Sequence, residues 1–196
     1  MKKLAILVIM LMISASAHLC AQGKSTISYS IGFGTGDIND YISKASFRGI
    51  SYEYTRFVNP NIGIGFSVAW NVFYSELERD TYVTDHASIT GKQYRYGNHV
   101  PVLFRSAYYL KSDSNFIPFA GAGIGTMYSR RNTDMGLYSI EQVAWNFALV
   151  PEVGFQYRLQ MDNAINVSLK YYNGFKAGNE LDAAQSYLAL NFGFTL

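Results

Sequence analysis

In "IGIGFSVAWNV", residues 62–72, an apolar side chain falls on every second position: Ile62, Ile64, Phe66, Val68, Trp70 and Val72. Gly63, Gly65, Ser67, Ala69 and Asn71, all small or polar, sit between them. A period of two belongs to a strand with unlike faces, and a helix cannot satisfy it. The same pattern closes the sequence, where Leu188, Leu190, Phe192, Phe194 and Leu196 alternate with Ala189, Asn191, Gly193 and Thr195. Eight segments alternate in this way, at 26–34, 47–57, 62–74, 93–110, 116–128, 142–159, 164–175 and 185–196. No stretch of a dozen residues carries a helical period, so the chain is predicted to be all-β, with residues 22–196 forming one domain.

The N-terminal "MKKLAILVIMLMISASAHLCAQ" has two lysines, an apolar run from Leu4 to Ile13, and then small residues. This is the pattern of a secretory signal peptide over residues 1–21, with cleavage expected after Ala21. As a membrane anchor the run is short of the ~20 apolar residues a spanning helix needs. As a lipoprotein signal it has Leu19 where a small residue should precede Cys20. Of the 16 Lys and Arg, two leave with the leader, so the remainder balance the 14 Asp and Glu. A near-neutral mature chain lacks the basic field that nucleic acid requires. Cys20, the single cysteine, leaves as well, so closure and packing rather than disulfides must hold the domain together.

The connections alternate in length. "VNPN", "KSDSN" and "QMDN" are tight and rich in turn formers, whereas "TGDINDYISKAS", "SELERDTYVTDHASITGK", "SRRNTDMGLYSIE" and "KAGNELDAA" are long and polar. An even strand number with short turns at one end and long loops at the other is the plan of an up-and-down antiparallel transmembrane β-barrel. Both termini then lie on the short-turn side.

Alternation does not say which face points outward, and a soluble lipocalin-like barrel would turn the apolar face in. Three features favour the opposite arrangement. Aromatic residues gather near strand ends: Tyr54, Tyr108, Phe155 and Tyr157 towards the short turns, and Trp70, Tyr74, Tyr128, Trp145 and Tyr187 towards the long loops. Two such belts suit the two membrane–water interfaces. The small-residue face, as in Gly121, Gly123 and Gly125 of "FAGAGIG", suits the cramped interior of an eight-stranded barrel. Those glycines lack the G-x-G-x-x-G spacing of a phosphate-binding loop. Finally, Glu53, Arg105, Glu152 and Lys170 all fall on that same face at comparable distances from the short turns. Two carboxylates and two cations in one narrow lumen are expected to pair as a plug, because an unpaired buried charge is very costly.

"VPVLFRSAYYL", "IPFAGAGIGTMYS" and the closing "LALNFGFTL", with the leader ending "CAQ", resemble the small eight-stranded outer-membrane β-barrel proteins of the OmpA and OmpX type. The resemblance spans the mature chain. It implies an outer-membrane location in a Gram-negative bacterium, and contact with outer-membrane lipids and lipopolysaccharide. It also implies insertion by the outer-membrane assembly machinery, which reads the alternating terminal strand. That strand usually ends in an aromatic residue, and here it ends in Leu196. No cofactor is implied. Pro101 and Pro151 fall inside strand candidates, where each removes a ladder donor, so bulges and later strand starts are expected there.

A non-enzymatic structural or surface-interaction role leads, with the loop at 75–92 as the first candidate surface. A lipid A-modifying hydrolase is the rival, raised by His86 and Ser88 in "DHASIT" with Asp85 and Glu76 nearby, although nothing in the sequence fixes a triad geometry. A narrow solute channel is a further alternative, against which stands a lumen filled by side chains. His86 and His99 lack partners at metal-ligand spacing, so no metal site is expected. His99 is placed on the lumen face near the outer mouth.

Overall fold

The computed structural model describes residues 23–83, 88–110, 114–159, 163–177, 181 and 183–196. Eight strands run in chain order: β1 (Gly23–Thr35), β2 (Ser46–Asn59), β3 (Ile62–Val83), β4 (Ser88–Tyr109), β5 (Phe116–Met135), β6 (Tyr138–Arg158), β7 (Ala164–Gly174) and β8 (Gln185–Thr195). One short helix, α1 (Asp37–Tyr41), lies between β1 and β2. Every strand pairs antiparallel with its sequence neighbours, and β8 pairs with β1, so the sheet closes on itself. The ends are fastened: Ser25 N–H donates to the Leu196 carbonyl at 3.0 Å, and Leu196 N–H donates to that of Ser25 at 2.8 Å. Closure leaves no edge strand, which is what permits a sheet to cross a bilayer.

The apolar faces point outward. Phe104, Trp145, Phe147 and Val153 are each more than half exposed, while Ser28, Ser51, Ser67, Asn146 and Asn191 are buried inside. In water so extensive an apolar exterior would drive aggregation, and in lipid it is the solvated surface. The lipocalin-like alternative, with its apolar face inward, is therefore overturned. Leu188, Leu190, Phe192, Phe194 and Leu196 all lie on the outward side of the closing strand and its end.

Strand lengths differ from expectation in an informative way. β3 continues to Val83 and β4 begins at Ser88, so most of the long polar loop expected at 75–92 is an extension of that hairpin. β5 and β6 likewise reach Met135 and Tyr138, joined across Gly136, whose positive φ of 63° suits the tight turn. Beyond the bilayer both faces of a strand meet water, so the hydrophobic alternation vanishes while the backbone ladder continues.

The two prolines do not create bulges. Pro101 pairs with Met127 and Pro151 with Ala122 in unbroken register on the β5 side of each. On their other sides the ladder lapses briefly and resumes in the same register. A missing N–H costs a bond but need not add a residue, and strands β4 and β6 begin earlier than expected, not later. Register shifts fall elsewhere, at Ser30/Gly32, Phe57/Asn59 and Leu77/Asp80.

Candidate functional site: the lumen and its mouth

Inward-facing side chains are buried along the lumen in successive layers. At the short-turn end Tyr109 packs against Phe57 and Phe119 at ring separations of 5.1 and 5.2 Å, beside Ile117 and Ala107. Next comes a charged layer that brings together Glu53 of β2, Arg105 of β4, Glu152 of β6 and Lys170 of β7. Lys170 Nζ donates to Glu53 Oε1 and lies 3.3 Å from Glu152 Oε2. Arg105 Nε lies 2.5 Å from Glu152 Oε1 and 3.4 Å from Glu53 Oε2. Arg105 Nη1 also donates to Thr55 Oγ1 at 2.9 Å, and the guanidinium stands 5.5 Å from the Phe119 ring centroid. None of the four residues is more than 4% exposed.

The arrangement is a closed square: each carboxylate touches both cations. Its net charge is zero, which is what allows four ionic groups to share a buried layer. Only Glu152 and Lys170 are direct cross-strand partners. The other contacts bridge strands that are not neighbours in the sheet, so the layer ties the barrel wall together across its diameter. Both the Glu53 and Glu152 carboxylates are occupied by counter-ions, an arrangement unlike an acid/base couple aimed at a substrate.

Towards the long connections an aromatic layer follows. Tyr172 and Tyr187 stack at 4.6 Å with an interplanar angle of 11°, and Phe73 meets Tyr187 edge-on at 5.5 Å. Asn71 Nδ2 donates to the Tyr187 hydroxyl at 3.2 Å. His99 is buried here, its Nδ1 3.2 Å from Ser129 Oγ and its ring 5.7 Å from that of Phe73. Tyr187 was expected in the membrane-facing belt. It is instead fully buried, because it shares the parity of Ala189 and Asn191 rather than that of Leu188. The remaining belt residues, Tyr54, Trp70, Tyr74, Tyr108, Tyr128, Trp145, Phe155 and Tyr157, point outward, with Tyr128 and Trp145 in ring contact at 5.1 Å.

The mouth is covered by α1. Its Ile38 and the following Ile42 are 2% and 1% exposed and join Phe73 and Tyr187 in one apolar cluster. A polar latch surrounds them. Arg131 Nη2 donates to Asp37 Oδ2 and, at 2.9 Å, to Gln185 Oε1, while Gln185 Nε2 donates to Asp37 Oδ2 at 2.9 Å. The Arg131 and Arg95 guanidinium groups stand 4.7 and 5.1 Å from the Tyr41 ring centroid. Arg95 Nη1 donates to the Tyr41 carbonyl at 2.9 Å, and the Tyr41 hydroxyl donates to the Asn132 carbonyl at 2.9 Å. Burial pushes the Tyr41 phenol above its ordinary pKa, and the two nearby cations oppose that shift.

Sequence reasoning missed this latch. Its signal was faint: Ile38 and Ile42 are an i, i+4 apolar pair inside an otherwise polar loop, and Arg131 and Gln185 continue the small-residue parity of β5 and β8. The hydrolase candidates find little support. Asp85 and His86 lie outside the described residues, Ser88 opens β4, and Glu76 is engaged by Lys92 Nζ at 2.5 Å on the exposed hairpin. The expected leader also lies outside the described residues.

The model of one protein family, the outer membrane protein beta-barrel domain, matches residues 4–194. The chain belongs to this family. No curated protein sequence matches the chain. Among solved structures, the barrel is similar to Ail, the attachment invasion locus protein of Yersinia pestis, at a TM-score of 0.53 and 14% identity, covering 90% of this chain and 100% of that one. It is equally similar to the outer membrane protein OprG from Pseudomonas aeruginosa, at a TM-score of 0.53 and 14% identity, over 89% and 95% of the two chains. Such low identities speak for a shared fold. Family and fold together assign an outer-membrane location.

Proposed function

We propose that the protein is a non-enzymatic outer-membrane barrel with a sealed lumen, serving a structural or surface-interaction role, with its long connections outside the cell and both termini in the periplasm. The observation that supports this reading is the series of buried side chains facing the lumen, from Tyr109 and Phe119 through the charged square to Ile38 of α1 and the following Ile42. An eight-stranded barrel has little room to spare, and these side chains use it. The β3–β4 and β5–β6 hairpins extend polar strands past the aromatic belt, with Arg130 and Glu141 paired at 2.7 Å on one of them, and these offer the contact surface. Lipopolysaccharide and outer-membrane lipids would surround the apolar exterior, and the assembly machinery would act on the β8 strand during insertion.

Orientation is tested with introduced cysteines, since Cys20 lies in the expected leader. Leu137→Cys, at a fully exposed turn on the long-connection side, should react with a membrane-impermeant maleimide on intact cells. Asn61→Cys, on the β2–β3 turn, should react only after the outer membrane is permeabilised. The reverse pattern would place the termini outside and sink the proposed topology.

A further inference from the structure

The outward face of β1–β4 carries an open groove of about 570 Å³, lined by Ile27, Ile50, Tyr52, Val68, Trp70 and Val100. Its walls are almost wholly apolar. Two residues from Ile50, on the same outward face and nearer the long connections, stands Arg48, which is exposed. At ~3.4 Å per residue the two Cα atoms are within the reach of one lipid headgroup and its first acyl carbons. The Arg48 guanidinium lies 5.2 Å from the centroid of Tyr74, an outward aromatic ring of the interface.

Two other outward cations near this end are paired. Lys92 holds Glu76 and Arg130 holds Glu141. Among the described residues no carboxylate forms an ion pair with Arg48. A guanidinium on a lipid-facing strand is costly unless an anion meets it there. Its planar donor fork matches phosphate oxygens in a bidentate fashion, and stacking on Tyr74 holds the fork in place.

We propose that the groove and Arg48 form one binding site for a phosphate-bearing acylated lipid, whose chain lies along the groove and whose phosphate is held by Arg48. The site rests on the outward apolar face already described, and it is independent of whether the lumen is sealed. Ordinary annular lipid would fill the groove without regard to headgroup. A bound anionic lipid would prefer it.

The chain has two tryptophans, Trp70 in the groove wall and Trp145 on β6 away from it, so each can be read alone. The full mature chain carrying Trp145→Phe is reconstituted in phosphatidylcholine vesicles containing a minor fraction of acyl-brominated phosphatidylglycerol or, separately, acyl-brominated phosphatidylcholine. Trp70 emission should be quenched more strongly by the brominated phosphatidylglycerol, reflecting an enrichment of about fivefold at the groove. Arg48→Gln should erase that preference while retaining quenching and the heat-dependent gel mobility of a folded barrel. Trp145, read in the Trp70→Phe protein, should show no preference. Equal quenching of Trp70 by the two lipids, or a preference that survives Arg48→Gln, would overturn the site. Absence of quenching by either lipid would overturn it together with the lipid-facing groove.

Discussion

Lys170→Met is expected to destabilise the folded barrel by about 3–5 kcal/mol, because it leaves two buried carboxylates facing a single guanidinium. Lys170 donates to Glu53, lies 3.3 Å from Glu152 and is 2% exposed. Urea unfolding in detergent, followed by the mobility difference between boiled and unboiled samples, reads the loss as a lower midpoint. The double variant Lys170→Met/Glu53→Gln restores electroneutrality and leaves Arg105 with Glu152 at 2.5 Å. It should recover much of the loss, a coupling that independent sites would not show. If the single and double variants are equally unstable, the four groups do not act as a network.

Gly121→Val is expected to damage the same layer from a residue that carries no charge. A Cβ placed at Gly121 would stand 2.7 Å from Glu152 Oε1 and 2.6 Å from the Ser106 carbonyl oxygen. The second contact is with backbone, which a rotamer change cannot relieve. Overpacking alone costs about 1–3 kcal/mol, and displacing the Glu152 carboxylate from Arg105 and Lys170 adds to it. The variant should reach the membrane fraction poorly, and what folds should unfold at markedly lower urea. Gly123, the next inward glycine, has Leu103 Cδ1 as its closest neighbour at 3.1 Å, the end of a side chain that can move. Gly123→Ala should therefore cost much less, and equal losses at the two positions would remove the carboxylate from the explanation.

The barrel was legible because a bilayer imposes its own contrast on a strand. Where one face meets lipid and the other a polar lumen, Ile62 to Val72 alternate without exception, and the eight segments, their order and their closure follow. The charged square was legible for the same reason: Glu53, Arg105, Glu152 and Lys170 stand out on a face otherwise made of Gly, Ala, Ser and Asn. Outside the bilayer the contrast disappears, so Ser75–Val83 and Ser129–Met135 looked like loops although their ladders continue. Tyr187 was misplaced by its chemistry, since tyrosine suits a membrane interface, whereas its parity with Ala189 already assigned it to the lumen. The mouth cover escaped notice because α1 has only five residues, too few to display a helical period. Its burial depends on Arg131 and Gln185, which come from strands distant in sequence. The prolines misled in the other direction: a lost donor at Pro101 or Pro151 interrupts pairing on one side and leaves the register intact.

The proposed sealed lumen is the claim on which the functional reading turns, and ion conductance tests it most directly. The purified barrel, inserted into a planar lipid bilayer with insertion verified by its heat-dependent gel mobility, should leave the membrane at its background conductance across the usual range of applied voltage. In the proposed reading the side chains from Phe119 through the charged square to Ile38 would leave hydrated ions no continuous path. Discrete, reproducible conductance steps from the folded protein would contradict the sealed lumen and make the barrel a channel.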